Sequence, residues 1–215
     1  MNKKRLLLTQ KLKKSKLYCF TPDKFAGNRK ILDIVKKEIA GGADIIQLRE
    51  KRLSHRDLLK LALKIREITL KTDTLFIVND FIDIAYFSDA DGVHLGQDDI
   101  PYTYARELLR DKLIGISTHT LNQYKKAQEY DVDYTAIGPI YPTSSKDIPD
   151  KPVGVNQLKK ILKYKKKPTV IIGGIKLDNL HIFKDMDIDI VAIITDIILA
   201  NDIKKRTFLI KTFLN

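Results

Sequence analysis

Short apolar runs, most of them rich in Val, Ile and Leu, recur along the chain and alternate with stretches of helical period. The runs Leu17–Phe20, Ile45–Leu48, Leu75–Val78, Gly92–Leu95, Leu113–Ile116, Tyr134–Ile137, Thr169–Ile172 and Ile190–Ile194 read as strands, because each is short and bounded by turn residues. Between them, apolar residues return every three or four positions. Ile31, Val35 and Ile39 make one such face, closed by Gly41-Gly42 as a helix C-cap. Ser54-His-Arg-Asp57 has the form of a capping box and opens a helix carrying Leu58, Leu61, Ile65 and Ile68 on one side. Further helices are predicted over Ile82–Phe87, Tyr104–Leu109 with Pro101 near its start, Leu121–Glu129, Leu158–Leu162 and Leu177–Phe183. Ile203, Thr207, Ile210 and Leu214 mark a closing helix. Residues 1–16 read as a basic arm with a short helix, and residues 17–215 as one catalytic domain.

Strands and helices thus alternate eight times. Near-continuous apolar strands belong to a parallel sheet covered by helices. Eight units close into a single (β/α)₈ barrel, the TIM barrel of the α/β class. At 215/8, about 27 residues per unit, it is compact beside the typical ~250 residues. A doubly wound open sheet is the rival, but it would carry a glycine-rich phosphate turn after its first strand. Thr21-Pro-Asp23 stands there instead.

In such a barrel the chemistry sits at the C-terminal ends of the strands. Those ends carry Gln47, Arg49 and Lys51; Asn79 and Asp80; Gln97, Asp98 and Asp99; Ser117 and His119; Thr143, Ser145 and Lys146; Gly173 and Gly174; and Thr195 and Asp196. Gln47, Arg49 and Lys51 alternate with apolar neighbours and share the face that looks into the barrel. Carboxylates converging from neighbouring strands repel unless a cation sits between them, which suggests a Mg²⁺ site at Asp80 and Asp98–Asp99. The glycines after strand seven and the Ile194-Thr195 tip fit a phosphate cradle of backbone N–H groups. Arg49, Lys51 and Lys146 face a second, larger anion. A second anion beside paired carboxylates points to a diphosphate chelated to Mg²⁺. His94, in mid-strand, reads as a hydrogen-bonded core histidine. His119 is open between acid–base work and packing.

Composition narrows the partners. The net charge is +12 and 31% of residues are charged, which suits phosphorylated partners and equally a lysine-rich coat on the outer helices. The lysines are scattered over Lys3–Lys16, Lys36–Lys37, Lys125–Lys126, Lys159–Lys167 and Lys204–Lys205, without an aromatic-interleaved stripe, so small phosphorylated metabolites are favoured over nucleic acid. The single cysteine, Cys19, excludes an intramolecular disulfide, suits a reducing compartment, and reads as buried filler. The N-terminal apolar run is too short for a signal peptide, and no stretch reaches the ~18 apolar residues of a membrane span. A cytoplasmic protein without a membrane partner is expected. Association into a homo-oligomer is compatible with the sequence and not specified by it.

In this order the strand tips resemble the thiamine phosphate synthase family. The matching runs are Gln47-Leu-Arg-Glu-Lys51, Val78-Asn-Asp80, Asp91-Gly-Val-His-Leu-Gly-Gln-Asp-Asp99, Gly115-Ile-Ser-Thr-His119, Ile137-Gly-Pro-Ile-Tyr-Pro-Thr-Ser-Ser-Lys146 and Ile172-Gly-Gly-Ile175. The resemblance implies transfer of a hydroxymethylpyrimidine group from its diphosphate to the nitrogen of a thiazole phosphate, through a pyrimidine methylene cation. It implies Mg²⁺ on Asp80 and Asp99, with Asp98 beside them. Arg49, Lys51 and Lys146 would neutralise the leaving pyrophosphate. Gln47, Asn79 and Ser117 would orient the pyrimidine diphosphate, with Lys146, Arg49 and Ser117 as the catalytic groups. Thr143, Ser145, Gly174, Ile194 and Thr195 would receive the thiazole phosphate. The pattern departs from the family after strand eight, where Thr195-Asp196 replaces the usual Ser-Ala. The approach Asp185–Ile190 also lacks the expected Gly-Ala-Asp-Gly. Two alternatives follow: a thiazole tautomerase-like enzyme using His119, and a noncatalytic phosphometabolite-binding regulatory barrel. The paired Asp80 and Asp99 favour the synthase.

Overall fold

The computed structural model describes residues 3–22, 25, 27, 29–143 and 151–215. Eight parallel strands follow one another in sequence order: β1 (Leu17–Phe20), β2 (Ile45–Leu48), β3 (Leu75–Asn79), β4 (Gly92–Leu95), β5 (Leu113–Thr118), β6 (Tyr134–Ile137), β7 (Thr169–Ile172) and β8 (Ile190–Ala192). The sheet closes where β8 pairs with β1, setting Leu17 opposite Val191 and Tyr18 opposite Ala192. This is the (β/α)₈ barrel expected from the alternation.

The pleat sorts each strand's residues into two layers. Tyr18, Phe20, Ile45, Leu75, Ile77, Leu113, Tyr134, Ala136, Val170, Ile190 and Ala192 fill the barrel. Leu17, Cys19, Ile46, Leu48, Phe76, Val78, Val93, Ile114, Ile137, Ile171 and Val191 pack outward under the helices. Cys19 therefore lies in the outer layer, where burial and the nearby Glu38 and Asp44 push its thiol up. It serves as packing.

The outer helices are α2 (Ile31–Ala40), α3 (His55–Thr69), α4 (Ile82–Phe87), α5 (Tyr102–Leu108), α6 (Leu121–Glu129) and α7 (Val155–Leu162). A 3₁₀ turn (Leu177–Phe183), the short α8 (Thr195–Ile198) and α9 (Ile203–Leu214) complete the layer. The α3 cap is as read from sequence: the Ser54 side chain accepts from the Asp57 N–H. The last strand is shorter than its apolar run suggests. Ile194 adopts φ −112°, ψ −80°, which leaves the extended region, and the chain turns into α8 at once.

The basic N-terminal segment forms α1 (Lys3–Lys14). Its Leu8 and Leu12 join the cluster inside the barrel. Arg5 donates to Asp131 and Asp133 below β6.

A repeated device ties the strand beginnings. An aspartate precedes each even-numbered strand and accepts the N–H of the strand before it. Asp44 takes Leu17, Asp91 takes Phe76, Asp133 takes Ile114 and Asp189 takes Thr169, at 2.7–2.9 Å. Each carboxylate also meets a cation: Lys211, Arg66, Arg5 with Arg106, and Lys165 respectively. These N–H groups lie at the bottom rim, where sheet pairing has ended, and would otherwise be unsatisfied.

Candidate active site

At the opposite rim the strand ends enclose a cavity of about 950 Å³, including the part open to solvent. Gln47 and Arg49 enter from β2, Asn79 from β3, His94 from β4, Ser117 and His119 from β5, Thr143 from the loop after β6, Gly173 and Gly174 after β7, and Ile194 and Thr195 after β8. Residues far apart in sequence thus face one space, because parallel closure brings every strand's C-terminal end to one side. Thr21 locks the first two tips together: its hydroxyl donates to the Arg49 carbonyl at 3.0 Å and accepts the Arg49 N–H at 2.9 Å.

One side of the rim carries the carboxylates. Asp80 sits at φ 65°, a left-handed conformation that Asp tolerates better than most residues and that recurs at functional sites. Its N–H is held by the His94 carbonyl at 2.9 Å. Burial, then the adjacent Asp99 carboxyl, pushes Asp80 up to about 6, while Lys51 pulls the other way. Lys51 Nζ lies 3.5 Å from Asp80 Oδ2. Asp99 is oriented by the Gly96 N–H, which donates to its Oδ2 at 2.6 Å. Asp98 is exposed. Two carboxyl groups thus share this partly buried place with a single lysine, and the place suits a cation. Among the described residues no group of three or more His, Cys, Asp or Glu could hold a metal by itself. Two carboxylates with the remaining positions left to phosphate or water oxygens is the arrangement Mg²⁺ prefers.

The other side of the mouth is built from backbone. Gly173 and Gly174 have φ 101° and 65°, which glycine alone adopts freely. A Cβ on Gly173 would also lie 2.4 Å from Pro139 Cβ, and one on Gly174 2.6 Å from Tyr141 Cβ. The β7 loop is thus pressed onto the β6 loop, with Thr195 beside it in the same cavity wall. Asp196, the residue that departs from the expected pattern, turns away. Its Oδ2 accepts the Leu177 N–H at 3.0 Å and faces Arg206 at 3.9 Å. The carboxylate is spent on tying α8 to the 3₁₀ turn and α9.

The geometry has relatives. A family profile described as thiamine monophosphate synthase matches residues 17–197. The thiamine-phosphate synthase of Dictyoglomus turgidum is 38% identical over 208 residues, spanning 96% of this chain and 92% of that protein. The one from Lawsonia intracellularis is 40% identical over 191 residues, 88% of each chain. The solved thiamine phosphate pyrophosphorylase of Pyrococcus furiosus superposes with a TM-score of 0.86 at 32% identity, covering 94% of this chain and 96% of that one.

This chain belongs to the thiamine monophosphate synthase family. The family membership and the barrel agree with the resemblance carried by the strand tips. The structure brings Gln47, Arg49, Asn79, Ser117, Thr143, Gly174, Ile194 and Thr195 into one cavity wall, with Lys51 paired to Asp80 at the rim. Ser145 and Lys146, on which the resemblance places further thiazole-phosphate and diphosphate contacts, lie outside the described residues.

The floor of the mouth also holds aromatic groups that sequence reasoning does not single out. Tyr18 and Phe20 line it beside His94, with Tyr134 fully buried beneath. His94 is hydrogen-bonded, as its mid-strand position suggests: Nδ1 lies 3.0 Å from the Tyr134 hydroxyl and Nε2 2.8 Å from Ser117 Oγ. The available signal was the pleat, which puts Tyr18, Gln47, His94, Ser117 and Tyr134 on inward positions. His119 Nδ1 is anchored 2.6 Å from the Gly138 carbonyl oxygen, which only accepts, so this nitrogen carries the proton.

Proposed function

We propose that this chain is a thiamine-phosphate synthase. It transfers the hydroxymethylpyrimidine group from its diphosphate to thiazole phosphate, giving thiamine phosphate and pyrophosphate. The observation that carries the reading is the two-sided mouth. The neighbouring carboxyl groups of Asp80 and Asp99 with Lys51 occupy one side, and a glycine-backed wall with Thr195 the other.

Gln47, Asn79 and Ser117 would hold the pyrimidine diphosphate. The bond from the pyrimidine methylene carbon to the diphosphate oxygen breaks, and its electron pair leaves with pyrophosphate. Arg49, Lys51 and Lys146 would take up that charge, a role in which preorganised cations contribute most. Thr143, Ser145, Gly174, Ile194 and Thr195 would present the thiazole phosphate so that the ring nitrogen's lone pair forms the new C–N bond. Positioning the two ligands face to face supplies much of the rate, since no strong acid or base is required. Mg²⁺ held by Asp80 and Asp99 would supply further neutralisation of the departing diphosphate. The turned-away Asp196 supports phosphate binding at the β7–β8 side, because its carboxylate does not oppose the anion there. We read the enzyme as cytoplasmic and acting on small molecules, without nucleic acid; no helix among the described residues is long and apolar enough to cross a membrane.

The deciding experiment supplies both substrates with and without Mg²⁺ and follows pyrophosphate. Mg²⁺-dependent release at the rate of product formation is expected. No release, together with tautomer exchange of the thiazole phosphate, would replace the synthase by the His119-dependent reading.

A further inference from the structure

Five side chains from five strands form one hydrogen-bonded chain across the barrel floor. Gln47 Nε2 lies 2.7 Å from the Tyr18 hydroxyl, which lies 3.0 Å from that of Tyr134. The Tyr134 hydroxyl is 3.0 Å from His94 Nδ1, and His94 Nε2 is 2.8 Å from Ser117 Oγ. Gln47, Tyr18, His94 and Ser117 border the cavity. Tyr134 lies beneath it, across Gly115, where a Cβ would stand 2.0 Å from its ring. The glycine makes room for the tyrosine to span the floor.

The chain has a direction. An amide nitrogen donates and cannot accept, so the Tyr18 oxygen is the acceptor from Gln47. Tyr18 then has its own hydrogen for Tyr134, and Tyr134 has its hydrogen for His94 Nδ1. A nitrogen that accepts is unprotonated, so the neutral ring carries its proton on Nε2 and donates to Ser117 Oγ. Ser117, having accepted, turns its hydroxyl hydrogen toward the mouth. Burial pushes both tyrosine hydroxyls well above their ordinary range, so neither loses the hydrogen that the chain uses. With the Gln47 amide rotated, every bond would reverse, and Ser117 would offer only lone pairs to the ligand. A lone pair suits an anion badly; an O–H suits it well.

We propose that Tyr18 and Tyr134 are positioning residues that carry the donor sense of the Gln47 amide to His94 and so make Ser117 a hydrogen-bond donor to the departing diphosphate. This rests on the synthase reading for the identity of the anion. The relay itself is a property of the free protein.

The test is nitrogen NMR of the protein labelled with ¹⁵N-histidine. The chain has four histidines, and His94→Gln assigns the signal. A neutral Nε2–H tautomer is expected for His94 in the wild type. Gln47→Glu, which puts an acceptor where the donor stood, should turn it to Nδ1–H. Tyr134→Phe keeps the ring and removes the link; turnover should fall roughly tenfold or more, the loss of one hydrogen bond to a charged group, with KM for thiazole phosphate unchanged. An Nδ1–H tautomer or an imidazolium in the wild type overturns the proposal, as does a Tyr134→Phe enzyme of full turnover. Should that variant not fold, the tautomer of the wild type still decides. The two readings fail separately. An enzyme that releases no pyrophosphate refutes the synthase reading and with it the role of Ser117. An active enzyme holding His94 as Nδ1–H refutes the relay alone.

Discussion

Two carboxyl groups among the described residues are held where ionisation is unfavourable, for different reasons. Asp80 is pushed up to about 6 by burial and by Asp99. An unfolded aspartate ionises near 3.8, so between these values the unfolded chain binds fewer protons and stability falls as pH rises. Asp80→Asn should therefore stabilise the metal-free protein by roughly 2 kcal/mol at neutral pH, and asparagine also accepts the positive φ. The same change should remove Mg²⁺-dependent turnover by orders of magnitude. Urea denaturation and the pyrophosphate assay read the two effects; retained turnover would refute the metal assignment. Glu38 is the second case. It is fully buried in α2, and neither carboxyl oxygen has a partner among the described residues. Burial alone drives it well above 4.5. Above pH 4.5 its unfolded form loses the proton and its folded form keeps it, so this residue lowers stability as pH rises. Glu38→Leu should stabilise by roughly 1–3 kcal/mol at pH 7, the penalty of an unsatisfied buried polar group. Its advantage over wild type should shrink on acidification by up to roughly 1.4 kcal/mol per pH unit. An advantage that is constant between pH 5 and 8 would contradict the buried, unpartnered state.

At the scale of elements, the bottom of the barrel is fastened by the four aspartates that precede β2, β4, β6 and β8. Asp133 is the most heavily used. Its side chain is 3% exposed and meets Arg5 at 2.8 Å, Arg106 at 2.6 Å and the Ile114 N–H at 2.8 Å. Asp133→Ala would leave two half-buried guanidinium groups and a strand N–H without that acceptor. A loss of about 3–5 kcal/mol is expected, the size found when one partner of a buried pair is removed. Thermal and urea unfolding would measure it, and a loss under 1 kcal/mol would show that the device is ornamental. The aspartates can be read off the sequence, each standing one residue before a strand. Their partners cannot, because Asp133 pairs with Arg5, 128 residues away. The N-terminal helix is a similar case. Its basic surface reads as an arm, and two leucines on one helix face are too few to announce that they reach into a barrel.

For the whole molecule, cations at the two ends of the barrel have different work. Arg5, Arg66, Arg106, Lys165 and Lys211 are committed to the aspartates of the bottom rim. Arg49 and Lys51 stand at the mouth, where phosphorylated ligands would arrive. The sequence by itself determined the alternation, and through it the barrel, because the period of hydrophobic residues is a local property that packing only has to respect. It also determined which side chains stand at the strand tips, because a polar residue ending an apolar strand has few other reasons to be there. The tertiary structure alone decided three things. Closure set Asp80 against Asp99 and raised one of them. The turn after Ile194 aimed Asp196 at Leu177 and Arg206. The inward pleat joined Gln47, Tyr18, Tyr134, His94 and Ser117 into a single directed chain. Each depends on which distant residue comes to lie within a hydrogen bond's reach. That distance is set by how strands β1 to β8 close on one another, which no residue's neighbours in sequence encode.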